Sequence, residues 1–269
     1  MYVDVHAHLI HPSFEGDEDA AAVRALQAGV TRVIVNGLEP KSNRAVLALC
    51  RRHDNLLPAL GIYPVDAIAR QIDRATWTHP WAPPEAFDAD AEVDFIRSVA
   101  DELVAIGECG LDAYWVTEHM AEQERILRRL AEVALAVDKP LILHTRKAEE
   151  RTLEILLEMG VRRADFHCFG GKLKLAERIA EAGYHLSIPP VVVRAESFQK
   201  MVSRLPLESL LTETDCPYMG PDKERNEPAK VPIGVAKMAE LRGLSSDAMA
   251  AALAANFETL FRVPAALPT

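Results

Sequence analysis

Eight short β-branched or apolar runs recur along the chain, at residues 2–9, 32–36, 57–62, 104–108, 141–144, 165–167, 185–188 and 210–213. Each is followed by an amphipathic stretch, such as 118–137 or 148–159, and Gly or Pro closes several of these. Strands that alternate with helices need parallel pairing and right-handed crossovers, so repeated βα units predict an α/β fold with a parallel sheet. Eight units without a Ser-, Gly- or Pro-rich linker predict one (β/α)₈ TIM barrel of the metal-dependent hydrolase type rather than two doubly wound halves.

The length suits this, because 269 residues lie near the roughly 250 typical of one such barrel. We therefore expect a single domain over residues 1–269. The long irregular stretch 73–90, which carries Trp77, Pro80, Trp81, Pro83 and Pro84, falls after the third strand, where an insertion forms a lid, a rim or a passive loop. The acidic run 15–19 precedes a helical pattern at 20–28 and reads as a solvated helix N-terminus.

In a barrel of this kind the chemistry sits at the C-terminal ends of the strands. The first run ends in Asp4-Val5-His6-Ala7-His8, and alternation along a strand turns His6 and His8 to one face, where the pair can chelate a cation. Glu108, His144, His167 and Asp215 end the fourth, fifth, sixth and eighth runs. One strand histidine is usually a hydrogen-bonded core residue, but four histidines and two acids at such positions need a metal or mutual pairing to be buried. Mixed imidazole and carboxylate ligation suits Zn, Mn, Co, Ni or Fe better than an all-oxygen set would. Six ligands exceed the need of one ion with an open position, so two divalent cations sharing Glu108 and activating a water are expected. Their identity among Mg, Mn, Zn, Co and Ni stays open.

Six segments then stand in order: Asp4-Val5-His6-Ala7-His8-Leu9, Ile106-Gly107-Glu108-Cys109-Gly110-Leu111-Asp112, Leu143-His144-Thr145-Arg146, His167-Cys168-Phe169, Glu213-Thr214-Asp215-Cys216-Pro217-Tyr218 and Arg225-Asn226-Glu227-Pro228. Together they resemble the TatD family of metal-dependent deoxyribonucleases, within the amidohydrolase-like barrels, from Tyr2 to Phe261. The resemblance implies His6, His8, Glu108 and Asp215 around one metal, and Glu108, His144 and His167 around the other. It implies an exonuclease-type phosphodiester hydrolase acting on a nucleic acid end, with Asp215 and Glu108 as the catalytic carboxylates. Some relatives of the family instead deacylate mischarged tRNA, which keeps an aminoacyl ester or small amide as the alternative substrate. One departure stands out: where the family reads Gly-x-His-Pro, this chain has Gly61-Ile62-Tyr63-Pro64, placing a phenol at a substrate-facing position.

Basic residues follow several strands: Arg146 and Lys147, Lys172 and Lys174, Arg194, and Arg225. Of these, Arg146 and Arg225 are the expected phosphate contacts, because a guanidinium can grip an oxyanion with two parallel donors. A net charge of −10 excludes a protein that coats nucleic acid by bulk electrostatics, though not a local basic site. Cys109, Cys168 and Cys216 each follow a proposed ligand, and alternation turns them outward as small apolar groups. Asp4 can orient an imidazole or simply satisfy buried hydrogen bonds, Asp112 can likewise support a ligand or simply serve a turn, the turn being favoured, and His11, His53, His79, His119 and His185 read as structural or exposed. No leader-like N-terminus, membrane-length apolar run, CxxC motif or disulfide framework is evident, so the expectation is a cytoplasmic protein with reduced thiols and no stable protein partner.

Overall fold

The computed structural model describes residues 1–267; Pro268 and Thr269, the end of the expected domain, lie outside the described residues. Eight parallel strands form one sheet in sequential order: β1 (Tyr2–Ala7), β2 (Val30–Asn36), β3 (Leu56–Leu60), β4 (Ala105–Gly110), β5 (Leu141–His144), β6 (Ala164–Phe166), β7 (His185–Ile188) and β8 (Leu210–Thr212). Helices intervene between successive strands, so the fold is the (β/α)₈ barrel. The strands are near-continuous apolar runs because both faces are covered, as β2 shows with only Thr31 less than fully buried.

The barrel closes at the end that carries the chemistry. The β1–β8 seam is made by Thr212 Oγ1 donating to the Val3 carbonyl at 2.7 Å, a parallel bridge between Ala7 and Cys216, and Asp215 N donating to the His6 carbonyl at 2.8 Å. Regular strand structure ends earlier in β6 and β8 than the apolar runs suggest, which leaves His167 and residues 213–215 just beyond the strand ends. A smaller core around Val3, Val5, Ile34, Ile142 and Leu211 packs on Phe257 and Phe261 of the last helix, Ser246–Phe261. Among the described residues no helix is long and apolar enough to cross a membrane.

The acidic run is more than a solvated helix start. Glu18 and Asp19 do occupy the first turn of helix Glu18–Gln27, but the Asp17 side chain makes no capping bond. It binds Arg24 instead, at 2.8 and 2.9 Å, and also takes the Arg225 guanidinium.

His185, at the start of β7, gives the fold an acid-labile point. Burial lowers its imidazole from 6.5 to about 4, and its Nδ1 has no hydrogen-bond partner. A base depressed on folding stays neutral in the native state while the unfolded chain takes up a proton, so its contribution is complete above pH 6.5 and lost as the pH falls towards about 4. His185→Leu should therefore flatten the decline of thermal stability across that interval. An unchanged pH profile would show that His185 is not the group concerned.

Candidate metal centre

Glu108 sits at the middle of the site, and glycines on either side make room for it. A Cβ at Gly61, past β3, would lie 2.2 Å from the Glu108 carbonyl oxygen. A Cβ at Gly110 would lie 1.9 Å from the His144 carbonyl oxygen, and its φ of +143° also disfavours any side chain. Bare backbone at these points lets β3, β4 and β5 converge around one carboxylate.

The two oxygens of Glu108 face different partners. Oε2 lies 3.4 Å from His6 Nε2 and 3.3 Å from His8 Nε2. Asp215 Oδ1 joins that group at 3.8 Å from His6 Nε2 and 3.7 Å from His8 Nε2. Oε1 lies 3.1 Å from His144 Nδ1 and 3.2 Å from His167 Nε2. The His6 and His167 rings stack at 3.7 Å between centroids, linking the two groups. All six predicted ligands are thus brought together, in clusters of potential ligand atoms that lie within 4.8 Å of one another.

The residues fit cations. His6 and His8 point their Nε2 atoms at each other 2.9 Å apart, and the buried Nδ1 atoms of His6, His8 and His167 have no hydrogen-bond partner. Converging lone pairs of this sort need protons or a metal between them. Burial works against charge on Glu108, yet His167 and hydrogen bonds from His144, His167 and His6 hold its carboxyl well below the ordinary range. Burial lifts Asp215 to about 6, with the imidazoles of His167 and His8 pulling the other way. His6 is driven well below its usual value by burial and by His167. The result is an ionised carboxylate between basic nitrogens.

Carboxylates behind the ligands hold several of them in place. Asp112 was read as a turn residue, and its Oδ1 does accept from Tyr114 N at 2.8 Å and Trp115 N at 2.7 Å. Its Oδ2, however, binds His144 Nε2 at 2.7 Å, which fixes the ring with Nδ1 facing Glu108. Glu213 went unassigned: it accepts from Cys168 N at 2.8 Å and Ser187 Oγ at 2.7 Å, and lies 3.5 Å from His167 Nδ1. Its position two residues before Asp215 was the available signal. Ser187 Oγ also contacts Asp165 Oδ2 at 2.8 Å; one hydroxyl hydrogen cannot serve two carboxylates, and burial together with the Glu213 charge lifts Asp165 to about 7, making it the proton holder. Asp4 does not orient an imidazole. It bonds His6 N, Thr214 N and Thr214 Oγ1, at 3.2, 2.9 and 2.6 Å, and so ties β1 to the loop that carries Asp215. Asp112→Asn keeps the turn-accepting oxygen but weakens the hold on His144, so we expect metal affinity to fall by about 10- to 100-fold. A competition titration with a metal-sensitive dye measures this; unaltered affinity would reduce Asp112 to its turn role.

Above the ligands opens a cavity of about 1180 Å³, lined by His8, Glu108, His144, His167 and Asp215 at its base. Tyr63 also lines it, its hydroxyl 3.4 Å from Asp112 Oδ2 and its ring edge-on to His144, with burial keeping the phenol protonated. The basic rim is narrower than expected. Arg146 and Lys147 line the cavity, as does Lys41, which sequence reading passed over; Lys172, Lys174, Arg194 and Arg225 do not.

Arg225 as a phosphate contact is therefore corrected. It lies over the Phe14 ring, donates to the Ser13 carbonyl at 2.7 Å and pairs with Asp17 and Glu227. Arg24 binds the same two acids, and Asn226 donates to the Thr214 and Tyr218 carbonyls at 2.7 Å. The Arg225-Asn226-Glu227 segment is a clamp on the Asp215 loop, and its guanidinium is paired with two carboxylates away from the cavity. Cys109 and Cys216 are fully buried in the apolar layer, but Cys168 lines the cavity instead of turning away from it. Burial, reinforced by the charge on Asp215, keeps that thiol protonated.

Comparison with known proteins shows relatives along the whole chain. Human deoxyribonuclease TATDN3 is 32% identical over 265 residues, covering 96% of this chain and 94% of the relative. The Salmonella typhimurium 3'-5' ssDNA/RNA exonuclease TatD is 30% identical, covering 97% and 98%. The crystal structure of YjjV, a TatD homologue from Escherichia coli, superposes with a TM-score of 0.84 at 31% identity, covering 98% of both chains. Residues 3–262 match the family described as TatD related DNase, and the chain belongs to that family.

Proposed function

We propose that this chain is a divalent-metal-dependent phosphodiesterase that releases nucleotides from the end of a nucleic acid strand. One observation carries the reading: a single buried carboxylate, Glu108, divides its oxygens between two imidazole groups at the base of a large cavity bordered by cations. Relatives named as a deoxyribonuclease and as a 3'-5' ssDNA/RNA exonuclease support the choice of substrate.

In this reading His6, His8, Asp215 and Glu108 Oε2 hold one cation, and His144, His167 and Glu108 Oε1 hold the second. Cations bound there would supply Lewis-acid polarisation of a phosphoryl oxygen and a more acidic water at neutral pH. Asp215 faces the cavity and accepts the proton of the attacking water. Arg146 offers its planar fork to a phosphate, and Lys147 and Lys41 neutralise neighbouring ones. Among the described residues no carboxylate lies within 4.0 Å of the charged groups of these three side chains, so their charge is free for an anion. We read the chain as a single-domain enzyme without a stable protein partner, and its four free cysteines favour a reducing compartment such as the cytoplasm.

Incubation with a single-stranded oligonucleotide and Mn²⁺ or Mg²⁺ should release mononucleotides, and EDTA should stop it. An intact oligonucleotide beside a cleaved aminoacyl ester would assign the site to the other class of ester.

A further inference from the structure

The chain has only three tryptophans, and all of them gather at one side of the cavity mouth. Trp77 and Trp81 belong to the insertion after β3, and Trp115 follows β4. The insertion has a footing of its own, because Trp77 and Trp115 pack on Val65, Ile68 and Val116, and Trp77 Nε1 donates to the Trp81 carbonyl at 2.7 Å, closing the loop. His79 stacks on Trp81 at 5.0 Å, Trp81 meets Trp115 edge-on at 4.5 Å, and Tyr114 meets Trp115 at 4.6 Å. Arg146 lies over Tyr114, its guanidinium carbon 3.7 Å from the ring centroid.

Trp77 and Trp115 are sheltered, but Trp81 and Tyr114 remain 38% and 48% exposed, and both line the cavity. Partly exposed aromatic rings beside cations at one mouth offer area that a flat ligand can cover. Their surroundings select among flat ligands. Arg146, Lys147 and Lys41 demand anionic charge at the same mouth, and about 1180 Å³ exceeds the roughly 300–1,000 Å³ of a usual small-molecule pocket. A nucleic acid strand with unstacked bases brings π-faces and phosphates together at that scale.

Building on the phosphodiesterase reading, we propose that Trp81 and Tyr114 form a base-stacking platform that receives the unpaired end of a nucleic acid strand, with Arg146 between the stacked base and its phosphate. The platform restricts the substrate to unpaired ends, because a paired base in a blunt duplex has its faces already covered. Stacking does not distinguish one base from another, so little sequence preference accompanies it. Deoxyribose and ribose strands share the chemistry.

Tryptophan fluorescence tests the platform directly, since Trp81 belongs to it and the other two tryptophans pack against Trp81. Metal-loaded protein is titrated with a phosphorothioate oligothymidine, its ribo counterpart, an abasic oligomer of equal length and a blunt duplex. We expect quenching by both unpaired strands, with the oligothymidine binding on the order of tenfold more tightly than the abasic oligomer. In Trp81→Ala and in Tyr114→Ala that preference should shrink towards unity, while Trp81→Phe should keep most of it. Equal affinity of the wild-type protein for thymidine and abasic strands would overturn the platform. Quenching by the phosphorothioate strand without hydrolysis of the ordinary one would uphold the platform and remove the phosphodiesterase reading, so the two fail separately.

Discussion

Asp215→Asn should lower turnover on an oligonucleotide by at least about 10²-fold while most of the metal stays bound, the loss expected when a general base is removed. The substitution suits the site. Asp215 has a φ of +51°, in the left-handed region that Asn tolerates as well as Asp, so no backbone strain is added. Its backbone bonds to His6 and Tyr218 involve no side-chain atom and survive the change. The amide keeps one oxygen for coordination near His6 and His8 but cannot accept a proton. Steady-state kinetics beside metal analysis separates the two roles. Near-wild-type turnover with full metal content would place the base elsewhere; equal loss of metal and turnover would leave Asp215 a ligand only.

Glu108→Gln should weaken metal binding more than any single histidine substitution, by more than about 10²-fold, since even a residue that merely orients a ligand is worth about 10- to 100-fold. The reason is geometric. Glu108 offers one oxygen to His6 and His8 and the other to His144 and His167, and glutamine must turn an NH₂ towards one of those pairs. His8→Ala removes one nitrogen from one group and leaves the other intact, so it should cost less. Calorimetric titration of the two variants with Mn²⁺ or Zn²⁺ ranks them. A milder effect for Glu108→Gln than for His8→Ala would exclude a shared carboxylate.

The ligand positions were legible because strand alternation and barrel topology fix where a side chain at a strand end must point. His6 lies on β1 and His8 follows one residue past its end, still in the alternation of the strand, and closure of the barrel brings Asp215 to them. Other positions beyond the strand ends followed no such rule. Cys168 was expected to alternate away from His167, but β6 stops at Phe166 and Cys168 takes a φ of +43°, which returns it to the cavity. Arg225 belongs to a loop whose partners, Asp17 and Glu227, come from distant and adjacent sequence alike, and charge by itself does not tell a paired guanidinium from a free one. Asp112 serves both a turn and His144, two roles that the sequence offers only as alternatives. The aromatic insertion carries no periodicity, so its packing on Val65, Ile68 and Val116 became visible only in three dimensions.

Glu108 divided between two cation sites requires two ions per chain, and the most direct measurement is the number of divalent ions the wild-type chain retains. Purified protein loaded with excess Mn²⁺ or Zn²⁺, desalted and analysed by native mass spectrometry with elemental analysis, should carry close to two ions per chain, both removable by a chelator. A chain that emerges from the same treatment free of metal would contradict it.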